Sequence, residues 1–134
     1  MALLILGSVR CEVSTQKYNK VKGSRFENDI SDHLNESGMK ARRLPRAGNR
    51  DIGDVELTVS KDVTLVIEAK NCKKQEMAEW LREADIEACN HEMKFGVPTI
   101  GAVVTKTRNK SIGEARVTLT LDQLVNLLRW NGLG

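Results

Sequence analysis

Two acids and a lysine within residues 54–70 are the side chains of this chain best suited to chemistry. Asp54 precedes an alternating segment typical of a half-buried strand, and Glu68 follows the β-branched segment 63–67, which is typical of a second strand. A hairpin would bring both carboxylates to one sheet edge, and Lys70 shares a face with Glu68 because strand side chains alternate with a period of two. A divalent cation would offset the repulsion between the acids, and hard oxygen ligands favour Mg²⁺ or Mn²⁺ acting on a phosphate.

The same residues have a plainer interpretation, an ordinary hairpin with solvated charged ends, because an acid followed by Glu-x-Lys is a weak pattern alone. Asp51 competes with Asp54 as the first acid, but it lies outside the alternating strand, before Ile52-Gly53. We therefore rank Asp54 above it.

Histidine and cysteine offer no comparable pattern. His33 and His91 have no partner at metal-ligand spacing. The three cysteines are widely spaced and form no zinc motif. Reduced thiols in a cytoplasmic protein fit them best.

Charge is distributed unevenly along the 134 residues. The net charge is +3, but residues 17–50 carry nine Lys or Arg against four acids. This concentration predicts an anionic partner, most simply nucleic acid, with an ordinary solvated surface as the alternative.

Hydrophobic periodicity predicts a mixed sheet flanked by helices in one compact domain. A first helix is expected to begin at Ser24 as N-cap, with Glu27 completing a capping box, and to end at Gly38. Further strands are predicted at 41–44, 55–59, 63–67, 99–105 and 116–121, a long helix at 75–95, and a closing helix at 123–130 capped by Asp122.

The long helix can act as a crossover that makes the strands at 63–69 and 99–105 parallel. Its acids, among them Glu83 and Glu87, are expected on a solvated face. The candidate acids would then lie at strand ends near the sheet centre, where α/β sheets commonly bind ligands.

Residues 1–19 are predicted to be an N-terminal extension ahead of a single domain at 20–134. The extension holds an apolar run at 2–6, and the polar stretch 14–20 is interpreted as a linker. The run is too short to span a membrane and has no basic residues ahead of it, so neither a membrane span nor a signal peptide is expected.

Gly53-Asp54 and the segment Ile67-Glu68-Ala69-Lys70 resemble the core motif of the PD-(D/E)XK nucleases, the restriction-endonuclease-like superfamily. The order of these and further motifs along the chain resembles that of the archaeal-type Holliday junction resolvases, which belong to this superfamily. The resemblance covers about residues 20–105 and rests on Lys22-Gly23-Ser24-Arg25-Phe26-Glu27, Gly38, Arg43 with its basic loop, Gly53-Asp54-Val55 and Ile67-Glu68-Ala69-Lys70.

The resemblance implies an α/β fold with a restriction-endonuclease-like mixed central β-sheet flanked by α-helices. It implies a Mg²⁺-dependent endodeoxyribonuclease, with Mn²⁺ able to substitute, that cuts four-way DNA junctions as a homodimer. Asp54, Glu68 and the Ala69 carbonyl would hold the metal, Lys70 would be the catalytic lysine, and Glu27 would be a further catalytic acid with a role at a second metal.

Phosphate contacts are predicted for basic residues around this site. They are Lys22, Arg25, Arg42, Arg43, Arg46, Arg50 and Lys73. Two alternatives stay open at the level of sequence: a nuclease of the same fold acting on flap, linear or single-stranded DNA, and a DNA-binding module without catalysis. The intact set of two acids and a lysine argues against the second.

Overall fold

This computed structural model describes residues 5–45 and 51–132, with side chains in the first range described from residue 21. Among these residues, three α-helices and five strands follow the predicted order. The elements are α1 (Ile5–Glu36), β1 (Lys40–Arg43), β2 (Val55–Ser60), β3 (Val63–Lys70), α2 (Met77–Phe95), β4 (Thr99–Thr105), a short 3₁₀ helix (Ile112–Glu114), β5 (Arg116–Thr118) and α3 (Leu121–Trp130). No helix among these residues is long and apolar enough to cross a bilayer.

The five strands form one mixed sheet in the order β1-β2-β3-β4-β5. Neighbouring strands run antiparallel except β3 and β4, which are parallel and are joined through α2. The predicted crossover and the predicted α/β class, a mixed sheet flanked by helices, are therefore confirmed.

The sheet separates two hydrophobic layers. Phe26 and Ile30 of α1 pack against Leu65 and Ile67 of β3 on one face. On the other face, α2 packs through Trp80, which joins Ala84 and Val103 in a second buried cluster. Because strand side chains alternate, the residues of β3 that do not face α1 face α2.

That alternation decides where the charged end of β3 points. Leu65 and Ile67 belong to the α1 layer, so Glu68 and Lys70 project to the side covered by α2. A Cβ at Gly101 of β4 would overlap the main-chain carbonyl of Ala84. Glycine there lets α2 lie directly on the sheet and brings its side chains to the end of β3.

Two helix starts differ from the predictions. α1 runs unbroken through Ser24, so this serine caps nothing, and the linker predicted at 14–20 is helical. Ser24 and Glu27 have the residue types of a capping box, but the same residue types also occur within a helix. In α3, the side chain of Thr120 accepts from the N–H of Gln123, so Thr120 rather than Asp122 is the cap. The last strand ends at Thr118, three residues earlier than predicted.

Candidate active site

The pairing of β2 with β3 brings Asp54 and Glu68 together at one edge of the sheet. Val55 pairs with Ile67, and the N–H of Asp54 donates to the Ile67 carbonyl at 3.0 Å. The N–H of Ala69 donates to Asp54 Oδ2 at 2.9 Å, which fixes that carboxylate beside the neighbouring strand. Both acids are more than nine-tenths buried, and their carboxyl groups are hydrogen-bonded to each other.

Gly53 sets the chain direction into Asp54. Its φ of +101° lies in the left-handed region, and a Cβ there would collide with the Val66 side chain. Its N–H donates to Asp51 Oδ1 at 3.0 Å. Only glycine fits between this turn and β3, so a glycine directly before the first acid is required by the geometry.

Burial and a second acid keep the Glu68 carboxyl neutral when no cation is bound. Burial raises its pKa to about 10, together with the hydrogen bond and the charge of Asp54 and the charge of Glu87, while the Lys70 ammonium opposes the shift. The protein thus holds a proton where a cation would otherwise balance the charge.

Lys70 lies among carboxylates from two elements. Its Nζ is 3.3 Å from Glu68 Oε2 and 3.2 Å from Glu83 Oε2 of α2, and it lies 5.7 Å from the centroid of the Trp80 ring. Burial would lower its pKa, but the Glu68 and Glu83 carboxyl groups outweigh burial, through their charges when ionised and through hydrogen bonds, and raise the pKa above the ordinary value. Lys70 is therefore a charged ammonium in the absence of metal.

Glu87 is a buried acid of this site that the sequence analysis placed on a solvated face, and that expectation is wrong. It is 3 % exposed, and its carboxyl group is hydrogen-bonded to Asp51 and to Glu68. Burial raises its pKa to about 9, together with the hydrogen bond and charge of Asp51 and the charge of Asp54. Its Oε1 is buried without a hydrogen-bond partner among the described residues.

A sequence signal for Glu87 existed. It lies seven residues after Trp80 and four before His91, and all three are buried on α2. These intervals place it on the buried stripe of the helix, yet its charge suggested the opposite face.

Four carboxyl groups thus form a continuous chain, which we call the acid cluster: Asp51, Asp54, Glu68 and Glu87. Asp51 is exposed and reaches Glu68 through Glu87, whereas Asp54 contacts Glu68 directly. The geometry therefore favours Asp54 over Asp51 as the partner of Glu68.

Glu27 is 4 % exposed, and its Oε1 accepts from Arg43 Nη2 at 2.7 Å. Arg43 also donates to Ser24 and Asn28 of α1, at 3.2 Å and 3.1 Å. Since β1 pairs Arg43 with Val55, this ion pair ties α1 to the strand that begins one residue after Asp54. Glu27 caps nothing; it anchors α1 beside the acid cluster.

The donors present suit a divalent cation held by few protein ligands. No three His, Cys, Asp or Glu side chains in the described ranges are arranged to hold a metal ion. The buried Asp54 and Glu68 are nevertheless in contact, which helps raise the pKa of Glu68, and Glu87 Oε1 has no hydrogen-bond partner among the described residues. Two carboxylates supplemented by a main-chain carbonyl and water are typical of Mg²⁺ sites.

Comparison with known proteins identifies the family. The model of the archaeal Holliday junction resolvase (Hjc) family matches residues 18–110. The chain belongs to this family of resolvases. Among solved structures, the Holliday junction resolvase Hjc of Archaeoglobus fulgidus, an archaeal hyperthermophile, shares 20% identity over 69% of this chain and 74% of its own, with a TM-score of 0.47. Comparison with curated proteins gave no match.

The resolvase match includes the whole acid cluster, Lys70 and the Glu27–Arg43 pair, and it ends before β5 and α3. Family membership supports a resolvase nuclease function, that of an endonuclease acting on DNA junctions. It confirms the resemblance read from the motifs.

The basic residues predicted for this resolvase to bind DNA fall into three groups. Arg42 is held by Glu56 in a two-point contact, at 3.0 Å and 3.3 Å, and Arg43 is held by Glu27. Lys22 and Lys73 line an open cleft, and Arg25 is exposed. Arg46 and Arg50 lie outside the described residues. Arginines held by carboxylates have little net charge to offer a phosphate.

Proposed function

We propose that this chain is a divalent-metal-dependent endodeoxyribonuclease that resolves four-way DNA junctions with Asp54, Glu68 and Lys70. The observation that supports this most directly is the contact between the two buried carboxyl groups, with the Lys70 ammonium 3.3 Å from the second of them. Such an arrangement is unfavourable for stability and useful for catalysis. Family membership supports the junction as substrate.

Asp54, Glu68 and the carbonyl of Ala69 would hold the cation, which we propose is Mg²⁺ with Mn²⁺ able to substitute. Glu27 is the candidate for a second cation. When bound, the cation supplies charge neutralisation and Lewis-acid activation at the scissile phosphate. Loading the site would displace the proton that Glu68 otherwise holds, so affinity for the cation should increase with pH.

The chain's own residues supply position and charge. The Ala69 N–H fixes Asp54, and Glu83 holds the Lys70 ammonium at the end of β3. A protonated lysine there stabilises the negative charge that develops on the phosphate as water attacks in line. The Glu27–Arg43 pair keeps α1 against this edge of the sheet.

Paired cuts across a four-way junction need two active sites, so the proposal entails a homodimer. The apolar residues exposed on α3 support an interface there: Leu121, Leu124, Val125 and Leu128. The double substitution Leu124→Glu/Leu128→Glu should yield a monomer by light scattering and turn paired cuts into single nicks. A variant that stays dimeric would exclude α3 as the interface.

The test is cleavage of a labelled four-way junction with Mg²⁺ or Mn²⁺, beside linear duplex and single-stranded DNA. Wild type should make paired cuts on the junction, and Glu68→Gln should make none. Glu79→Gln, an exposed acid of α2, serves as the matched control. Equal cutting of all three substrates would support a nuclease function and exclude selectivity for junctions. Binding without cutting in either metal would instead favour a non-catalytic DNA-binding module.

A further inference from the structure

A basic cleft of about 540 Å³ opens at the same sheet edge as the acid cluster. Its cations come from three separate segments of the chain: Lys22 from α1, Lys73 from the segment after β3, and Lys106 and Arg108 from the segment after β4. Among the described residues that line it, none is acidic and none is aromatic. We call this feature the strand cleft.

Topology places the strand cleft directly beside the catalytic lysine. β3 and β4 are parallel, so the segments that follow them leave the sheet at the same edge. The N–H of Lys106 donates to the carbonyl of Lys70 at 3.2 Å. Lys70 therefore belongs to both features, since its side chain contacts the acid cluster and its main chain contacts the cleft.

Three of the cleft cations are available to a ligand. Lys73, Lys106 and Arg108 are exposed and make no ion pair with any residue in the described ranges. Arg42 and Arg43, by contrast, are held by Glu56 and Glu27. An anion that contacts Lys73, Lys106 and Arg108 would not have to break a salt bridge to another described residue.

The segment that carries Lys106 and Arg108 has a defined shape. The Thr107 hydroxyl donates to the Glu114 carbonyl at 2.7 Å, and the Lys110 N–H donates to the Thr107 carbonyl at 3.2 Å. Ser111 and Glu114 form a capping box at its end. The two cations are thus presented by a braced loop, which lowers the entropy lost on binding.

The composition of the cleft decides its ligand. An open groove lined with cations and amide groups suits a sugar-phosphate chain, while bases would require aromatic platforms on which to stack. We propose that the strand cleft binds consecutive phosphates of the DNA strand next to the scissile phosphate, through Lys22, Lys73, Lys106 and Arg108. This inference rests on the proposed nuclease function and assigns Lys106 and Arg108 a role that the motifs did not indicate.

Binding and cutting can be tested separately. Junction affinity would be measured by fluorescence anisotropy in EDTA, across a series of KCl concentrations, for wild type and Lys106→Ala/Arg108→Ala. Each phosphate contact contributes about 0.9 to the slope of log K against log salt, so the double variant should lower that slope by about 2. Lys61→Ala/Lys94→Ala removes the same charge from exposed positions that do not line the cleft and should leave the slope unchanged.

Cys72 provides a second readout that does not depend on affinity. It is an exposed thiol in the cleft, and Cys89 is an exposed thiol on α2 that does not line the cleft. Junction DNA should suppress maleimide labelling of Cys72, followed by peptide mass spectrometry, and leave the labelling of Cys89 unchanged. Equal labelling of Cys72 with and without bound DNA would overturn the proposal.

The two proposals fail in different ways. If wild type cuts junctions and the double variant keeps the wild-type salt slope, the strand cleft is excluded and the nuclease remains. If wild type binds with the expected slope and Cys72 protection but cuts nothing in either metal, the cleft remains and the nuclease is excluded. Absence of any junction binding by wild type would overturn both.

Discussion

The acid cluster and the strand cleft meet at Lys70 but are built in opposite ways. Asp54, Glu68 and Glu87 are buried and hydrogen-bonded within the acid cluster, and burial raises the pKa of both glutamates. Three of the four cations of the cleft, Lys73, Lys106 and Arg108, are exposed and lie in loops that begin where strands end. One region concentrates like charge inside the protein, and the other displays the opposite charge outside it.

This difference shows what the fold has to provide. Exposed cations cost little, so loops suffice to carry them. Buried carboxyl groups oppose folding and must be held by elements that are stable without them. Gly53 and Gly101 serve that purpose, since the first fits the turn before Asp54 and the second lets α2 approach the sheet. We therefore expect that removing an acid of the acid cluster lowers the rate of DNA cleavage and raises the stability of the metal-free protein.

The largest effect is expected for Glu68→Gln. Loss of the carboxylate should reduce the rate of junction cleavage at saturating DNA by about 10²–10³-fold or more. The same substitution should raise the melting temperature of the metal-free protein, because it removes a buried ionisable group that is crowded by Asp54 and Glu87.

The control for that substitution is Lys106→Ala/Arg108→Ala in the cleft. It should keep the cleavage rate at saturating DNA within a few-fold of wild type and should leave the melting temperature unchanged, because both side chains are exposed. A Glu68→Gln protein that melts below wild type in EDTA would show that the cluster stabilises the fold.

An intermediate effect is expected for Glu87→Gln. Glu87 is hydrogen-bonded to Glu68, and partners that orient a metal ligand typically contribute about 10–100-fold to affinity or activity. We expect a loss in that range in the affinity for Mn²⁺, measured by calorimetry, with a higher melting temperature in EDTA. Glu79→Gln, exposed on the same helix, is the matched control. Unchanged Mn²⁺ affinity would show that Glu87 does not help to position Glu68 for metal binding.

Stability should depend on pH in the direction set by the acid cluster. The pKa of Glu68 is raised from 4.5 to about 10 and that of Glu87 from 4.5 to about 9, so between these values the folded protein binds more protons than the unfolded chain. The stability that these raised pKa values contribute is fully present below about pH 4.5. It is lost as the pH rises toward 9–10, by at most about 1.4 kcal/mol per pH unit for each group.

The measurement is urea unfolding in EDTA at pH 6, 7.5 and 9. Wild type should lose stability along this series, and Glu68→Gln should lose less of it. Saturating Mg²⁺ should flatten the wild-type profile, because the cation replaces the proton. A flat wild-type profile in EDTA would mean that the carboxyl groups ionise in the folded protein at neutral pH.

Helices and strands were predictable from the sequence where the local residue pattern favours the same structure as the packing of the whole domain. Alternation and β-branched residues indicated β2 and β3. The left-handed Gly38, just past the end of α1 at Glu36, and the parallel strand β4 were also predictable. The register that joins Asp54 to Glu68 depends on the short turn between the two strands and on an irregularity between Thr58 and Ser60 that shifts the pairing by one residue. These features depend on neighbours in sequence, which a pattern can report.

The missed features depend on packing between distant segments. Glu87 joins the cluster because Gly101 lets α2 lie against β4, a contact that spans the crossover. Ser24 has the residue type of a cap, yet α1 begins at Ile5 and runs through it, so a capping residue alone does not mark the start of a helix. The cleft gathers Lys22, Lys73 and Lys106 from segments that only the sheet topology brings together.

The smallest effect on DNA binding should come from Arg42→Ala. This substitution tests whether a cation paired with a carboxylate contributes less to DNA binding than the exposed cations of the cleft. Burial would raise the pKa of Glu56, but hydrogen bonds from Arg42 and His91 lower it, so the Arg42 charge is balanced within the protein. Arg42 is exposed, and its loss should cost about 1 kcal/mol or less in urea unfolding. The salt slope of junction binding should fall by much less than the value of about 1 expected per phosphate contact. A decrease as large as that of a cleft lysine would show that Arg42 leaves Glu56 to bind DNA, and that the basic surface extends across β1.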